Sequence, residues 1–538
     1  MYKVIVDCKY HPTIIFLTVG GITAAAANSQ VLSFCELYKI SESACQSILS
    51  HVLRIYVLPD LSDREEPRRL TSVASVHSFD IFDTVLARSV AEPEDIFSLV
   101  EEHFPCPNFR SVRLYAATLS SGSFDAVYDT MLNITRADPS YIQDLKEFEF
   151  AMELKHSYLI EQNYRRVADG DILVSDMYLP FDRLWTLLRA AGFNKSVNLF
   201  VSPSGKATGW MWESLTAVYD IKSHLGDSYL SDVVMARKYQ VRGEHSTVHA
   251  LRAMEKRLHS RGGSSSALAL LLRRMRHRNP YPTNSIESAL FDEQVEVNLL
   301  VLLLFAQNVY DLMVAEGLQR LLLTMRDCCL LEKIFAAFYP EEEAIPFYIS
   351  STMYRNPTRE FMDYVTQLYI PGSTLIIDFG GAFKSGRDLF SLLFNQLPRV
   401  HLLIFNSTRA PQYENLTFVF RADDEVAFAG LNLEILNADV RGSLVDVCER
   451  SRIEVDSNSS DEGVAEVVLA RHPIKYRMEY VRVNHDAIDL FCATANSSLV
   501  RHHLRQLATE KTDGGGALST ALLHDAMKEV SHSPSKIS

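Results

Sequence analysis

HSFDIFDTVLAR (77–88) ends an apolar, strand-like run on one aspartate, Asp80, and places a second, Asp83, three residues later. An acid at the carboxyl end of a parallel strand borders the crevice in which open α/β sheets bind their ligands. Two neighbouring acids can equally well lie in an ordinary turn. The residues at the other strand ends of the chain are therefore needed to distinguish an active site from a turn.

Further strand candidates follow this run at DILVSDM (171–177), at NLFVSPS (198–204) and in a shorter stretch that reaches HLGDS (224–228). Helical stretches separate them, and strands that alternate with helices indicate βα units around a parallel sheet. We therefore predict an α/β domain over residues 71–255, with a Rossmann-like parallel sheet. A long, mostly helical insertion, at about 93–168, separates its first two strands.

The rest of the chain divides into three parts. We predict an appended segment at 1–70, a second α/β domain at 285–445, and a C-terminal extension at 446–538 that is partly flexible. RGGSSS (261–266) and RRMRHRNPYP (273–282) are typical of a break between domains, and we expect their basic cluster to be a solvated face, although it could also meet anions. The strands of the second domain are predicted at 318–325, 345–351, 373–379 and 399–406.

Composition excludes several classes of protein. Hydrophobic residues make up 47% and charged residues 22% of the 538 positions, as in a soluble globular protein. The net charge of −14 opposes a nucleic-acid partner, and the eight scattered cysteines indicate reduced thiols in a cytoplasmic protein. The apolar stretch 12–27 is shorter than the ~20 residues that a spanning helix needs, so we predict no membrane span. Composition predicts no oligomeric state.

Four polar features in the first α/β domain each lie at a strand end, and they occur in one order. They are Asp80 in FDIFDT, Ser175 in ILVSD, Lys206 in SGKATG and Asp227 in GDSYLSD. A carboxylate can attack phosphorus and form an acyl phosphate, while a hydroxyl and a lysine can hold the transferring group. Mg²⁺ prefers oxygen ligands and needs only one or two carboxylates beside a phosphate. The set therefore suits phosphoryl chemistry.

This order of motifs resembles the haloacid dehalogenase superfamily over about 180 residues, a third of the chain. GDSYLSD (226–232) fits the family's GDxxxxD pattern, and DILVSDMYLP (171–180) is similar to the SDMYLP form of a subgroup tied to bacterial surface-polysaccharide genes. The resemblance implies a Mg²⁺-dependent phosphatase that acts on a small phosphorylated metabolite, such as a sugar phosphate, through an aspartyl-phosphate intermediate.

The resemblance also assigns roles to individual residues. Asp80 would be the nucleophile and a Mg²⁺ ligand, and Ser175 would bind the phosphate. Lys206 would neutralise the negative charge of the nucleophile and of the phosphate. Asp227 would bind Mg²⁺, and Asp232 would support the ion directly or through water. Because 95 positions separate the first two motifs and 31 the next two, the family's cap domain would be the helical insertion after the first motif.

One position departs from the family pattern. Phosphatases of the superfamily carry a second aspartate, which acts as general acid and base, two positions after the nucleophile. In this chain that position is Phe82. Asp83 lies one residue further on, where the family usually has glycine, and Thr84 matches the family's threonine. A shift of one residue in extended backbone reverses a side chain's direction, so Asp83 need not replace the acid. The chain would then be a slow phosphatase or one with a relocated acid, and the alternative is a catalytically impaired binding module in a multidomain protein of surface-glycan assembly.

Other polar residues have simpler interpretations. We expect Asp176 to cap the following helix, and His77 and His224 to be packed or surface histidines. In the second domain, STLIIDFGGAFKSGRDLF (373–390) places Asp378 at a strand end before a loop that could cradle an anion. It is faintly similar to the phosphoribosyltransferase signature, and an ordinary α/β domain with capped helices remains the other interpretation.

Overall fold

The computed structural model describes residues 2–8, 11–17, 75–120, 122–325, 327–381, 383–406, 414–421, 429–440, 444–449, 467–471, 478–512 and 515–532. The chain is an α/β protein with parallel sheets, as predicted, and each of its two large sheets has five strands, one more than the sequence indicated. The strands are β1 (Tyr2–Cys8), β2 (His11–Leu17), β3 (Ser75–Phe79), β4 (Leu86–Arg88), β5 (Ser157–Leu159), β6 (Ile172–Asp176), β7 (Asn198–Ser202), β8 (Asp220–Gly226), β9 (Arg242–His245), β10 (Arg320–Thr324), β11 (Glu343–Phe347), β12 (Thr374–Gly381), β13 (Arg399–Phe405), β14 (Leu416–Arg421), β15 (Leu444–Glu449) and β16 (Val467–Arg471).

Helices cover most of the other described residues. The α-helices are Asp95–His103, Phe109–Leu119, Phe124–Thr135, Pro139–His156, Glu161–Tyr164, Phe181–Ala190, Gly205–Thr208, Trp210–Thr216, Ala236–Lys238, Ala253–His259, Gly263–His277, Ile286–Glu293, Leu299–Glu316, Cys329–Phe338, Ser351–Arg355, Arg359–Leu368, Lys384–Phe394, Ala429–Leu436, Met478–Thr494, Ser497–Thr509 and Leu518–His532. Two π-helical stretches, Tyr229–Met235 and Gln294–Asn298, join them.

The first sheet has the order β7-β6-β3-β8-β9, and every neighbouring pair is parallel. The predicted strands are present, although β3 ends at Phe79, so that Asp80 lies just beyond it, and β8 begins earlier than expected. After β3 the chain builds outward through β6 and β7, and it then returns to the other side of β3 with β8. The side on which successive strands are added therefore changes between β3 and β8, which makes this the topological switch point of the sheet.

The helical insertion lies within the range 93–168. Its chain leaves through β4 and returns through β5, and these two strands pair antiparallel. The side chains that the insertion buries, such as Phe124 and Leu145, belong to the same apolar core as Phe79 and Leu184 of the sheet domain. The insertion is therefore packed onto the sheet domain.

The second sheet has the order β11-β10-β12-β13-β14 and is also parallel throughout. Its main core includes the helical run Ile286–Glu316, whose residues Leu299–Ala306 are almost fully buried. In the part of the chain that the structure describes, this run alone is long and apolar enough to cross a membrane, and 67% of its most apolar window is buried inside the protein. A helix buried to that degree is a core helix of this domain.

One prediction about the second half of the chain is wrong. The supposed break at 261–282 contains the helix Gly263–His277, and three residues of its basic cluster are buried: Arg273, Arg276 and His277. Apolar side chains at every third or fourth position, such as Leu268 and Leu272, bury this helix in the core of the second domain. The short Gly/Ser run at its start hid that periodicity.

The C-terminal extension at 446–538 contributes to the core where the structure describes it, and its predicted partial flexibility stays a prediction. The helices Met478–Thr494, Ser497–Thr509 and Leu518–His532 place their apolar faces in the same core as Ile286–Glu316. The prediction for the first 70 residues falls mostly outside the described residues, which include only the antiparallel pair β1 and β2.

Candidate catalytic and metal site

The candidate site lies at the carboxyl ends of β3 and β8, at the switch point of the first sheet. Asp80 directly follows β3, and Asp227 directly follows β8. The backbone N–H of Asp80 donates to the carbonyl of Leu225 at 2.8 Å, which fixes the two strand ends to each other. The sheet topology thus brings together two acids that are 147 positions apart in the chain.

Lys206 joins the acids of the site. Its ammonium donates to a carboxylate oxygen of Asp80 and to Oδ1 of Asp232, the latter at 2.7 Å. The residue belongs to the short helix Gly205–Thr208 after β7 and is only 2% exposed. A buried lysine is stable only beside compensating carboxylates, so its position depends on both partners.

Asp232 is fully buried and is held at both oxygens. Its Oδ2 accepts from the backbone N–H of Ser228 at 2.9 Å, and its Oδ1 lies 3.2 Å from Nε2 of His224. A Cβ atom on Gly226 would lie 2.2 Å from the Asp232 carboxyl carbon, so only glycine fits at this position of the GD motif. The π-helical stretch Tyr229–Met235 brings Asp232 to this place.

His224 fits the packed interpretation, and the structure adds a partner on each side of its ring. Its Nδ1 lies 2.8 Å from the Ser78 hydroxyl, and the Trp212 ring packs against it edge-to-face at 4.6 Å between centroids. Burial lowers the pKa of His224, so the neutral ring is favoured. The sequence carried a signal for this role, because Ser78 lies two residues before Asp80, and His224 lies two residues before Gly226 of the GD motif.

Three carboxylates converge at this point and could together hold a metal ion. Asp80, Asp227 and Asp232 each offer an oxygen, and these oxygens lie within 4.8 Å of one another. Oxygen atoms in this arrangement suit a hard cation. Three acids against the one lysine also leave the site short of positive charge, which is a second reason why a cation fits the residues present.

The pKa values of the site reflect this shortage. Burial raises the pKa of Asp80 well above its usual range; the Lys206 ammonium opposes this rise, and repulsion from the Asp232 and Asp227 carboxylates adds to it. Burial and repulsion from Asp232 likewise raise the pKa of Asp227. Burial opposes the charged form of Lys206, yet the carboxylates of Asp80 and Asp232 raise its pKa. A bound cation would relieve the repulsion among the acids.

Ser175 lies near the end of β6, directly beside β3, and makes no hydrogen bond to the three acids. It is 2% exposed, and its hydroxyl makes no hydrogen bond with any residue that the structure describes. Asp176 does act as a cap, but not of the helix that follows it. Its carboxylate accepts from the backbone N–H groups of Lys206 at 2.7 Å and Ala207 at 2.9 Å, and so fixes the segment that carries the lysine.

The turn after Asp80 explains the second aspartate of the opening segment. Asp83 has a φ of 57°, in the left-handed region that glycine, asparagine and aspartate tolerate best. This is the turn position at which the family resemblance places glycine. The interpretation of Asp83 as a turn residue is therefore confirmed.

Phe82 is buried beneath an arginine that the sequence interpretation missed. The Arg88 guanidinium lies 3.9 Å from the centre of the Phe82 ring, and it forms a two-pronged ion pair with Glu153 of the insertion, at 2.8 and 3.1 Å. Nothing in the local sequence predicts this contact, because Arg88 and Glu153 are 65 positions apart. A phenyl ring can neither donate nor accept the proton that a general acid and base would transfer.

Comparison with protein-family models and with curated proteins finds no match to this chain. In the second sheet, the Thr324 hydroxyl at the carboxyl end of β10 donates at 2.9 Å to Asp378, which lies inside β12, three residues before its end and not at the strand end that the sequence predicted. Asp378 therefore lies at the switch point of that sheet, and its carboxylate serves at least one contact inside the protein.

Proposed function

We propose that the first domain is a Mg²⁺-dependent phosphatase of the haloacid dehalogenase type, acting on a small phosphorylated metabolite such as a sugar phosphate. One observation carries the proposal. The Lys206 ammonium bridges Asp80 and Asp232 beside Asp227, at the switch point where open α/β sheets bind ligands. This arrangement joins a nucleophile, a charge-neutralising cation and a set of carboxylate ligands in one crevice.

Each residue then has a chemical task. An Asp80 oxygen forms a bond to phosphorus while the bond from phosphorus to the leaving oxygen breaks, which yields an aspartyl phosphate and an alcohol. Lys206 offsets negative charge on the nucleophile and the phosphoryl group, and the Ser175 hydroxyl donates to a phosphoryl oxygen. Water then attacks phosphorus and releases phosphate, which restores the Asp80 carboxylate.

Asp80, Asp227 and Asp232 would hold the metal ion. When bound, Mg²⁺ supplies positive charge that spreads the charge of the transferring group. Phe82 can neither give a proton to the leaving alcohol nor take one from the attacking water, so both transfers fall to another residue or to solvent. General acid–base help is worth typically about 10²–10⁴-fold, so we expect slow turnover.

The experiment is a screen of small phosphate monoesters with Mg²⁺, using the wild type, Asp80→Asn and Asp83→Asn. Both variants replace one carboxylate of the same segment by an amide of the same shape, and asparagine tolerates the backbone of position 83. We expect Asp80→Asn to lose turnover and Asp83→Asn to retain it. Equal turnover by the wild type and Asp80→Asn would refute the nucleophile assignment.

The packing of Phe82 favours a second candidate, a binding module that kept the pocket and lost turnover. The Arg88 stack and the Glu153 ion pair hold the phenyl ring in place of an acid. In the same screen this candidate predicts no turnover of any ester, together with Mg²⁺-dependent binding of inorganic phosphate. We place either activity in the cytoplasm, in a protein of surface-glycan assembly.

A further inference from the structure

We propose that His224 is a positioning residue of the phosphatase site. Its Nε2–H fixes the Asp232 carboxylate, and Asp232 in turn holds the Lys206 ammonium at the nucleophile Asp80. This inference rests on the proposed function, but it concerns a buried hydrogen-bond chain that runs from Ser78 to Asp80 and that the motif pattern does not include.

The first step is the direction of each hydrogen bond. An ionised carboxylate only accepts, so the His224 nitrogen that faces Asp232 at 3.2 Å must carry the hydrogen. In the neutral ring the other nitrogen, Nδ1, is then an acceptor, and the Ser78 hydroxyl at 2.8 Å donates to it. Asp232 therefore selects the tautomer, and the Ser78 hydroxyl, which also lies 3.3 Å from the Ser223 carbonyl, completes the chain at Nδ1.

The second step is what Asp232 requires. A carboxylate with one fixed oxygen can still rotate, and the Ser228 N–H fixes only Oδ2. Lys206, His224 and, at the longer distance of 3.4 Å, the Ser231 hydroxyl share Oδ1, so His224 supplies the closer of the two contacts there that do not depend on the lysine. Without His224, only the long Ser231 contact would oppose rotation of the carboxylate that positions Lys206.

The third step is that His224 itself cannot move. The residue is fully buried, the Trp212 ring packs edge-to-face against the imidazole, and the Trp212 indole N–H donates to the carbonyl of Ser231 at 3.3 Å. Within the described residues its only side-chain hydrogen bonds are those to Ser78 and Asp232. A ring held in this way acts on the chemistry only through Asp232.

The test compares His224→Leu with His224→Gln. Leucine fills the space but removes both hydrogen bonds, whereas glutamine can still direct an N–H at Asp232. A hydrogen bond to a charged group is worth about 1.5–3 kcal/mol, so we expect His224→Leu to lower kcat by about 10- to 150-fold, with little change in KM. His224→Gln should restore most of kcat.

Two further variants keep the test decisive if His224→Leu folds poorly. Ser78→Ala removes only the hydroxyl that contacts Nδ1 of His224, and it should lower kcat by less than His224→Leu does. The matched control is His259→Leu, which removes a half-buried histidine that also binds a serine hydroxyl, that of Ser266 at 2.6 Å, in the second domain. We expect full kcat in this control.

Calorimetry with Mg²⁺ alone separates this inference from the proposed function. We expect His224→Leu to weaken Mg²⁺ binding and His224→Gln to preserve it, even if no ester in the panel is turned over. Wild-type protein that binds Mg²⁺ but hydrolyses nothing would refute the phosphatase and leave this comparison intact. Equal Mg²⁺ affinity and equal kcat for the Leu and Gln variants would overturn the role of His224.

Discussion

Replacing Lys206 by methionine tests whether the buried charges of the site depend on one another. Methionine keeps most of the length and apolar stem of lysine but removes the ammonium that contacts Asp80 and Asp232. Both carboxylates are buried, at 5% and 0% exposure, so the substitution leaves uncompensated charge inside the protein. Lys206→Met should therefore destabilise the metal-free first domain.

The expected loss follows from the burial of the pair. Removing one partner of a buried ion pair costs about 3–5 kcal/mol, because the remaining charge has lost its compensation. For a domain of 150–250 residues, each kcal/mol lowers Tm by about 2–4 °C, so Lys206→Met should lower Tm by roughly 6–20 °C. Mg²⁺ should recover more of the Tm in the variant than it adds to the wild type, since the acids then lack their only fixed cation.

The assay is thermal unfolding followed by tryptophan fluorescence, in EDTA and then in Mg²⁺. All three tryptophans, Trp185, Trp210 and Trp212, belong to the first domain, so the signal reports that domain alone. The control is Lys222→Met, which removes an exposed lysine of β8 that pairs with Asp220 at 2.5 Å. Exposed pairs contribute about 0–1 kcal/mol. Equal Tm values for the two variants in EDTA would refute the reasoning.

Three other predictions concern single residues. Burial lowers the pKa of His401 from 6.5 to about 4, so only the unfolded chain takes up its proton as the pH falls from about 6.5 to 4. In urea unfolding, the free energy of unfolding of the second domain should therefore fall by up to about 3 kcal/mol over that pH range. His401→Gln should reduce this dependence on pH, and a wild type whose stability does not change with pH would contradict the prediction. Arg276→Met should lower the free energy of unfolding by about 3–5 kcal/mol, because it leaves the buried carboxylate of Glu255 without its ion-pair partner. Replacing the exposed Arg274 by methionine should lower it by less than about 0.5 kcal/mol. Similar losses in the two variants would refute the assigned burial. Gly226→Ala should abolish phosphatase activity, because its Cβ would displace the Asp232 carboxylate, and retained activity would show that this carboxylate is dispensable.

The sequence predicted the elements whose signal is local. The apolar runs before Asp80, Ser175 and Asp227 marked strands with polar residues at their carboxyl ends, and the parallel sheet brings the first and last of these together. The reason is that strand order and the edge of the sheet follow from the βα pattern, which is written in consecutive residues. The left-handed turn at Asp83 was predictable for the same reason.

Contacts between distant segments were not predictable. Asp176 caps the helix that carries Lys206, 30 positions away, and Arg88 reaches Glu153 across 65. The helix Gly263–His277 was mistaken for a break, since buried arginines such as Arg276 look like solvated charges until their long-range acceptors are known. Partners of this kind depend on tertiary packing, which no local pattern encodes.

Trapping the covalent intermediate tests the central proposal most directly. The protein is mixed with Mg²⁺ and a phosphate monoester from the panel, quenched in acid, digested and analysed by peptide mass spectrometry. The proposal predicts one phosphoryl group on the peptide that contains Asp80, removed by neutral hydroxylamine and absent from Asp80→Asn. Turnover without this adduct, or an adduct on another residue, would contradict the assignment of Asp80 as the nucleophile.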